Sequence, residues 1–239
     1  MLYLNTFIFS AIFASFIQVA ATHLPLRQTF MFRFSRCDFC QRRLTFFEMI
    51  PLLSFIILRG KTWCCGQKLS RSYLAVELLF PILSTFFVYF ERSASNRILL
   101  LICLAFLFFF LLTDLTYLHI PDVAVLVFFS IVLLLRLREG TPFSSILWQF
   151  SCSFSFYGLI YYIFRKGFGM GDAKLLIILG TALGFKASYW IFFLALASAN
   201  LILGFAFLFK KITWKKKIPF VPFLFTGFLI YLILQTGGV

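Results

Sequence analysis

Charged residues are scarce in this chain of 239 amino acids, since they make up 13% of it and only eight are acidic. A soluble domain of this length contains about a quarter charged residues. The composition therefore excludes an ordinary cytosolic enzyme, a disordered chain and a disulfide-rich miniprotein. What the chain has instead is apolar: 62% of its residues are hydrophobic, 37 of them are Phe, and the mean hydropathy is +0.99. Because about 20 apolar residues cross a bilayer as a helix, this composition allows roughly six to nine spans.

The apolar residues fall into eight stretches that lack the alternating pattern of a membrane barrel. They lie at 2–20, 72–90, 98–113, 121–135, 143–164, 174–185, 188–209 and 218–235. We predict an all-α polytopic membrane protein with about eight transmembrane helices and a small cytoplasmic, cysteine-containing loop domain. The boundary marked by Gly180, Gly184 and Lys186 is the weakest of the seven. No internal repeat and no low-complexity linker interrupts the pattern.

The first basic residue is Arg27, so no basic segment precedes the first apolar stretch, as a secretory signal would require. We therefore expect a retained span with the N-terminus outside. Seventeen basic residues fall in the loops 22–71, 165–174 and 210–217, whereas five lie on the opposite side. This bias predicts that these three loops are cytoplasmic and that both termini are outside. The net charge of +14 is then explained by cytoplasmic loops, and no nucleic-acid partner is expected.

Two of the eight acidic residues lie where acids are costly. Asp114 closes the apolar run that ends at Thr113, and Asp172 follows Gly169-Met170-Gly171 just before another span. The topology places both at the cytoplasmic membrane edge. Two nearby aspartates can share one proton and work as acid and base, and the glycines would let a substrate backbone approach. Alternatively, Asp172 caps the following helix, or the pair serves ion transport.

The remaining acidic residues have simpler interpretations. Asp122 follows Pro121 and can cap the fourth span, so it ranks behind the other two aspartates. The other five are interpreted as solvated or paired surface groups: Asp38, Glu48, Glu77, Glu91 and Glu139.

Four of the six cysteines lie in the 22–71 loop. Cys37 and Cys40 form a C-x2-C pair, and a second pair some 20 residues later is typical of zinc sites. The second pair is irregular, because Cys64 and Cys65 are adjacent and Thr62 stands three residues before Cys65. Three ligands completed by Cys64 or His23 would make a zinc site, and the alternative is a set of reduced thiols. The two remaining cysteines, Cys103 and Cys152, lie in apolar spans and are expected to be packing residues.

Taken together, the motifs resemble the bacterial type IV prepilin peptidase family, particularly its competence-associated members in Gram-positive bacteria. The resemblance covers nearly the whole chain in four ordered blocks. Gly169–Lys174 matches the family's GxGD signature, and Asp114–Asp122 matches its other active-site segment, which ends in Ile-Pro-Asp. The remaining matches are Ser35–Cys40, Ile50–Phe55, Leu58–Gly60, Cys65-Gly66 and Glu77–Leu79.

The resemblance implies a membrane aspartic endopeptidase in which Asp114 and Asp172 are catalytic and no cofactor is needed for cleavage. It also implies three regions: 1–21, a first transmembrane helix; 22–71, a cytoplasmic loop domain; and 72–239, the transmembrane peptidase domain. Substrates would be type IV prepilins or competence pseudopilins, cut after Gly on the cytoplasmic side of the bacterial plasma membrane. Many family members also methylate the new N-terminus with S-adenosylmethionine, an activity associated with the loop region.

Two departures from the family affect the loop region. Thr62 replaces a Cys of the usual second C-x2-C, and segment 15–25 lacks the usual Asn and Arg. No glycine-rich cofactor loop is present. The sequence does not indicate the oligomeric state. Besides the prepilin substrates, membrane lipid is an expected partner.

Three other functions compete with prepilin cleavage. A presenilin-type protease also uses GxGD but usually has Tyr before the partner Asp, where this chain has Thr113. A transporter with aspartate ion sites would show inverted repeats, which this sequence lacks. A scaffold for pilus components would tolerate loss of both aspartates.

Overall fold

The computed structural model describes residues 1–26, 37, 39–45, 48, 51–91, 93–165, 167–208 and 218–236. Several residues used above lie outside this part of the chain: Arg27, Arg33, Arg36, Asp38, Ile50, Arg92, Lys166 and the basic loop 210–217. Within the described residues the prediction of an all-helical chain is confirmed. They contain no β-strand, and an isolated antiparallel bridge pairs Lys61 with Lys68.

The described residues form nine helices, and eight of them coincide with the eight predicted apolar stretches. The helices are α1 (Leu2–His23), α2 (Leu53–Ile57), α3 (Arg71–Phe90), α4 (Ala94–Tyr117), α5 (Asp122–Arg138), α6 (Phe143–Ile163), α7 (Met170–Leu183), α8 (Phe185–Leu208) and α9 (Val221–Thr236).

Four described helices are long and apolar enough to cross a membrane: Leu2–His23, Ser72–Phe90, Ala94–Tyr117 and Phe185–Phe205. Val221–Gln235 forms a shorter apolar helix. Several apolar helices of this kind are typical of a multi-pass membrane protein, whereas the predicted count of eight spans stays a prediction.

The chain divides into two compact units, Met1–Ala105 and Phe106–Val239, with the boundary inside α4. In the first unit α1 and α3 pack side by side in opposite directions. Tyr3 lies against Tyr89 with ring centroids 5.6 Å apart, and Phe13 lies against Phe80 at 6.3 Å. Between these helices in sequence, the short α2 and the turns around the cysteines are held by local backbone hydrogen bonds.

In the second unit, α7 lies at the centre and contacts α5, α6 and α8, while α8 also packs along α9. The weak boundary predicted between α7 and α8 is real. It falls at Gly184, whose φ of +94° suits glycine and ends α7. The new helix is capped from α6, because the Phe185 N–H donates to Gln149 Oε1 at 2.7 Å.

Two glycines allow close helix contacts in the second unit. A Cβ at Gly180 of α7 would collide with the Ser153 hydroxyl of α6. A Cβ at Gly227 of α9 would lie 2.6 Å from the Ile191 carbonyl oxygen of α8, which is backbone and cannot move aside. The positions of α7 and α9 therefore depend on the absence of these two side chains, and these helices also carry the polar site described next.

Candidate active site

Asp114 lies near the end of α4 and is buried, with 7% of its surface exposed. Its Oδ2 accepts a hydrogen bond from the Val221 backbone N–H at 3.0 Å, and the neighbouring Phe220 amide also interacts with this carboxyl group. Both amides belong to the start of α9, where backbone N–H groups have no partner within the helix. Asp114 is thus fixed by the N-terminus of a helix more than 100 residues further along the chain.

Asp172 is the third residue of α7 and is half-buried. Its carboxyl group lies against the backbone of Gly169, the residue that precedes the helix and occupies the cap position. Asp172 is therefore not the N-cap residue that was the structural alternative for it. A Cβ at Gly169 would lie 2.7 Å from Asp172 Oδ2, so the carboxylate occupies the space that glycine leaves.

The structure brings the segments of the two aspartates together. The side chain of Ile120 packs on Gly171, where an added Cβ would lie 2.8 Å from Ile120 Cδ1. Lys174 Nζ pairs with Asp122 Oδ1 at 2.5 Å. The carboxyl groups of Asp114 and Asp172 are close enough to interact electrostatically. In this structure the missing side chains of Gly169 and Gly171 make room for Asp172 and Ile120, and their predicted approach to a substrate backbone stays a prediction.

Such a pair of carboxyl groups has a definite chemical capacity. Where two carboxyl groups interact in this way, repulsion between like charges allows one to retain a proton while the other is ionised. The ionised group can accept a proton from water, and the protonated group can donate to a carbonyl oxygen. The pair can therefore assist hydrolysis with neither a metal nor a nucleophilic side chain.

An apolar groove of about 370 Å³ lies between α5, α6 and α7. Its walls include Phe129, Phe150 and Phe154, and the paired side chains of Asp122 and Lys174 also line it. Residues two positions apart on a helix do not share a face, so the groove runs along the side of α7 that faces away from Asp172.

The four loop cysteines form a second polar cluster, in the first unit. The sulfur atoms of Cys37, Cys40, Cys64 and Cys65 all lie within 4.8 Å of one another. Cys37 is 3.9 Å from Cys65, and Cys64 is 3.8 Å from Cys65. Tetrahedral zinc with Zn–S bonds of about 2.3 Å places its sulfur ligands about 3.8 Å apart, which the two Cys65 distances match. Cys40 and Cys64 are closer, at 3.0 Å, and would separate to hold zinc, for which four thiols are a preferred donor set. The adjacent Cys64 and Cys65 both face the cluster.

The environment of this cluster favours one ionised sulfur. Backbone N–H groups of Cys40 and Phe39 lower the pKa of the Cys37 thiol to about 7. The hydrogen bond with Cys40 raises the pKa of Cys64 to about 12. Thr62, which stands where the family has a Cys, places its hydroxyl 3.1 Å from Cys65 Sγ. His23, the alternative ligand, instead lies 2.9 Å from the Val19 carbonyl through Nδ1 and is not in the cluster.

Glu77 contradicts the interpretation of the five lesser acids as surface groups. It is buried in the first unit, where it accepts the Leu52 N–H at 2.8 Å and a hydrogen bond from Ser15. Glu48 and Glu139 are paired as expected, with Arg42 and Arg136 respectively.

Sequence reasoning missed two elements of these sites: Glu77, and the amides of Phe220 and Val221. The signal for the amides was present in the sequence Pro219-Phe220-Val221-Pro222, because proline has no N–H and only the middle two residues can donate.

Comparison with known proteins places these features in a family. The profile of the Bacterial Peptidase A24 N-terminal domain matches residues 8–90, and that of the Type IV leader peptidase family matches residues 101–206. A prepilin leader peptidase/N-methyltransferase of Bacillus subtilis is 30% identical over 94% of this chain and 91% of the relative. Proteins of the same name from Klebsiella pneumoniae and Vibrio cholerae are 29% and 27% identical, over 73% and 79% of this chain and 82% and 80% of theirs. No solved structure matches the chain. The chain belongs to the type IV leader peptidase family.

Proposed function

We propose that this protein removes the leader peptide from type IV prepilins, with Asp114 and Asp172 as the catalytic pair. One observation carries the proposal. Two segments separated by about fifty residues meet through Ile120 on Gly171 and through Lys174 on Asp122, so their carboxyl groups interact. The relatives of this chain are named prepilin leader peptidases. This name favours prepilin cleavage over the carrier, scaffold and presenilin-type alternatives.

Cleavage by such a pair consumes one water molecule. The ionised carboxylate accepts a proton as the water oxygen bonds to the carbonyl carbon, and the other aspartic acid donates its proton to the carbonyl oxygen. The C–N bond then breaks, and the leaving nitrogen takes up a proton from the pair. The leader departs with a new carboxyl group, and the mature pilin keeps a free N-terminal amine.

The basic-residue bias supports a topology of eight spans with both termini outside and the aspartates at the cytoplasmic edge. Prepilin leaders are short and basic, and a cytoplasmic face with many basic loops does not attract them. Binding must therefore depend on the hydrophobic segment that follows the scissile bond. Competence pseudopilins are included among the proposed substrates, because the motif resemblance is to competence-associated members.

The apolar groove between α5, α6 and α7 is our candidate for holding that hydrophobic segment of the prepilin. Its walls are apolar, and the Asp122–Lys174 ion pair that lines it joins the two segments that carry the catalytic aspartates. A photoreactive benzoylphenylalanine at Phe154 should crosslink to an uncleaved prepilin in membranes. The same probe at Leu134, which is exposed on α5, should crosslink only to lipid. Capture of lipid alone at Phe154, or of prepilin equally at Leu134, would remove the groove from the proposal.

The proposed cleavage is tested in membranes that contain the protein and a prepilin. Asp114→Asn and Asp172→Asn should each slow cleavage by about 10³-fold or more, because each removes half of the acid–base pair. Glu139→Gln is the matched control and should cleave nearly as well as the wild type, since this acid lies at the other end of α5, paired with Arg136. The product is followed on a gel and its new N-terminus by mass spectrometry. Undiminished cleavage by both active-site variants would place the active site elsewhere.

We also propose that the four-cysteine cluster binds zinc. Zinc would supply a crosslink between the turn at Cys37–Cys40 and the turn at Cys64-Cys65, and no catalytic step is assigned to it. The thiolate-rich donor set and the sulfur spacing support this proposal. Metal analysis of the purified protein tests it.

A second activity, N-methylation of the mature pilin, is favoured by the names of the relatives, which include N-methyltransferase. It would require S-adenosylmethionine. No cluster among the described residues marks a site for this donor, so no step of methyl transfer is assigned to a residue. This activity is tested by incubating the cleaved pilin with the protein and S-adenosylmethionine. Mass spectrometry of the N-terminal peptide then shows whether the mass of one methyl group has been added.

A further inference from the structure

The start of α9 is built so that its free amides converge on Asp114. Pro219 and Pro222 have no N–H, so the four-residue segment that they bound offers only the amides of Phe220 and Val221. Val221 donates to Asp114 Oδ2 at 3.0 Å, and the Phe220 amide beside it interacts with the same carboxyl group. The amides of this segment are thus directed at one carboxyl group.

This contact occurs away from solvent. Val221 is fully buried, and 7% of Asp114 is exposed. Hydrogen bonds from amides to an ionised carboxylate are stronger than those to its neutral form, and more so where water is excluded. Asp172 interacts with one backbone amide, that of Gly169, and no hydrogen bond of comparable geometry reaches it within the described residues. The backbone therefore favours the ionised form at Asp114 more than at Asp172.

The charged groups around Asp114 do not reverse this preference. From α7 it faces Asp172, whose negative charge would disfavour two simultaneous ions. Lys174 of α7 forms an ion pair with Asp122 of α5. His119 also interacts electrostatically with Asp122. The described part of α9 has no charged side chain. Among the described residues, the groups that stabilise a negative charge on Asp114 are backbone amides. No cationic side chain in the described part of the chain does so.

We propose, on the basis of the proposed peptidase function, that Asp114 is the ionised base and that Phe220 and Val221 position it through their amides. Asp114 accepts the proton from the attacking water, and Asp172 donates the shared proton to the scissile carbonyl oxygen. When the C–N bond breaks, Asp114 gives the water proton to the leaving nitrogen. The carbonyl re-forms and returns its proton to Asp172, so the pair ends as it began.

The test removes one N–H with little change in shape. Replacing Val221 by its α-hydroxy acid converts the amide to an ester that has no donor. The pH profile of kcat for prepilin cleavage is then compared with the wild type. Val221→Ala keeps the N–H and is one control. An ester at Leu224, whose N–H donates to the Phe220 carbonyl inside the helix, is the other.

Loss of a donor to a buried carboxylate should move the acidic limb of the profile upward by about one pH unit and leave the basic limb in place. Neither control should move the acidic limb. Movement of the basic limb alone would assign the acid role to Asp114 and overturn the inference. An unchanged profile would also overturn it, because the amides would then have only a structural role.

A second measurement shows which of the two aspartates is ionised and does not require cleavage of a prepilin. In infrared spectra at neutral pH, Asp114→Asn should remove a carboxylate band, whereas Asp172→Asn should remove the band of a protonated carboxyl group. The reverse assignment would refute the inference even if the peptidase is active. If the wild type cleaves no prepilin while the infrared bands follow this assignment, the proposed function fails and the description of the ionised pair stands.

Discussion

The cysteine cluster of the first unit and the aspartate pair of the second are held in different ways. The cysteines lie in short turns with several left-handed residues, among them Gln41, Gly60 and Gly66, and Cys40 and Cys65 are exposed. The aspartates lie at the ends of helices, where an amide of α9 holds the Asp114 carboxyl group and Asp172 lies against the backbone of Gly169. Turns of this kind have little apolar packing, so the first site should depend on a bound cation, whereas the second should depend on helix packing.

The largest effect is expected when a cysteine of the cluster is removed. Cys37→Ser should abolish binding of the single zinc ion, because three remaining sulfurs hold the metal weakly. Cys152→Ser, on α6, should bind zinc like the wild type. Metal content and protease resistance of the loop provide the measurements.

The irregular spacing of the second cysteine pair gives a further check on the cluster. Thr62→Cys combined with Cys64→Ser restores a regular C-x2-C and should retain zinc. If all these proteins lack zinc, the cluster is a set of reduced thiols.

On the aspartate side, Gly169→Ala should have the next largest effect. The new Cβ would lie 2.7 Å from Asp172 Oδ2 and must displace the carboxylate. A displacement of this kind lowers kcat by about 100-fold. Gly167→Ala is the matched control, because nothing lies within 4 Å of its Cβ position. Equal activity of the two variants would mean that the position of Asp172 does not limit cleavage.

A smaller, repairable defect is expected at Gly171. Its added Cβ would lie 2.8 Å from Ile120 Cδ1 and 3.1 Å from Ile120 Cβ, so Gly171→Ala should slow cleavage by about tenfold. Ile120→Val removes Cδ1 and keeps Cβ, so it should restore part of the rate in the double variant. Rates of the single and double variants measure the coupling, and simply additive losses would argue against direct contact during catalysis.

The exposed ion pair between Lys174 and Asp122 should matter least. Exposed pairs contribute about 0.2–1 kcal/mol, so Lys174→Met should change the cleavage rate by less than about fivefold. Initial rates at saturating and limiting prepilin separate kcat from KM. A loss of 100-fold would instead show that Lys174 contacts the substrate.

Much of the fold follows from local sequence, because long apolar runs are sufficient to predict membrane helices. Asp114 and Asp172 were predictable for a related reason, since acids at the ends of apolar runs are conspicuous. The break at Gly184 was marked by glycine, which alone tolerates the φ of +94° found there without strain.

Contacts between distant segments account for what the sequence did not predict. Glu77 has the sequence context of a helix-start surface acid, and its burial depends on α1 and on Leu52 folding over it. Likewise, nothing near Asp114 in sequence indicates that its hydrogen-bond donors come from residues 220 and 221. Both features belong to tertiary structure, which apolar periodicity does not encode.

The tight crossing of α9 over α8 at Gly227 has a consequence for genetic studies of this protein. A side chain at Gly227 must push α9 away from the backbone of Ile191 and Ala195, and α9 begins six residues earlier with the amide that holds Asp114. A random mutant screen should therefore recover inactive alleles at Gly227 as readily as at the aspartates. Alleles at Gly204, where an added Cβ meets open space, should be silent. A map of loss-of-function positions would then trace the spacing between helices as well as the surface that contacts the prepilin.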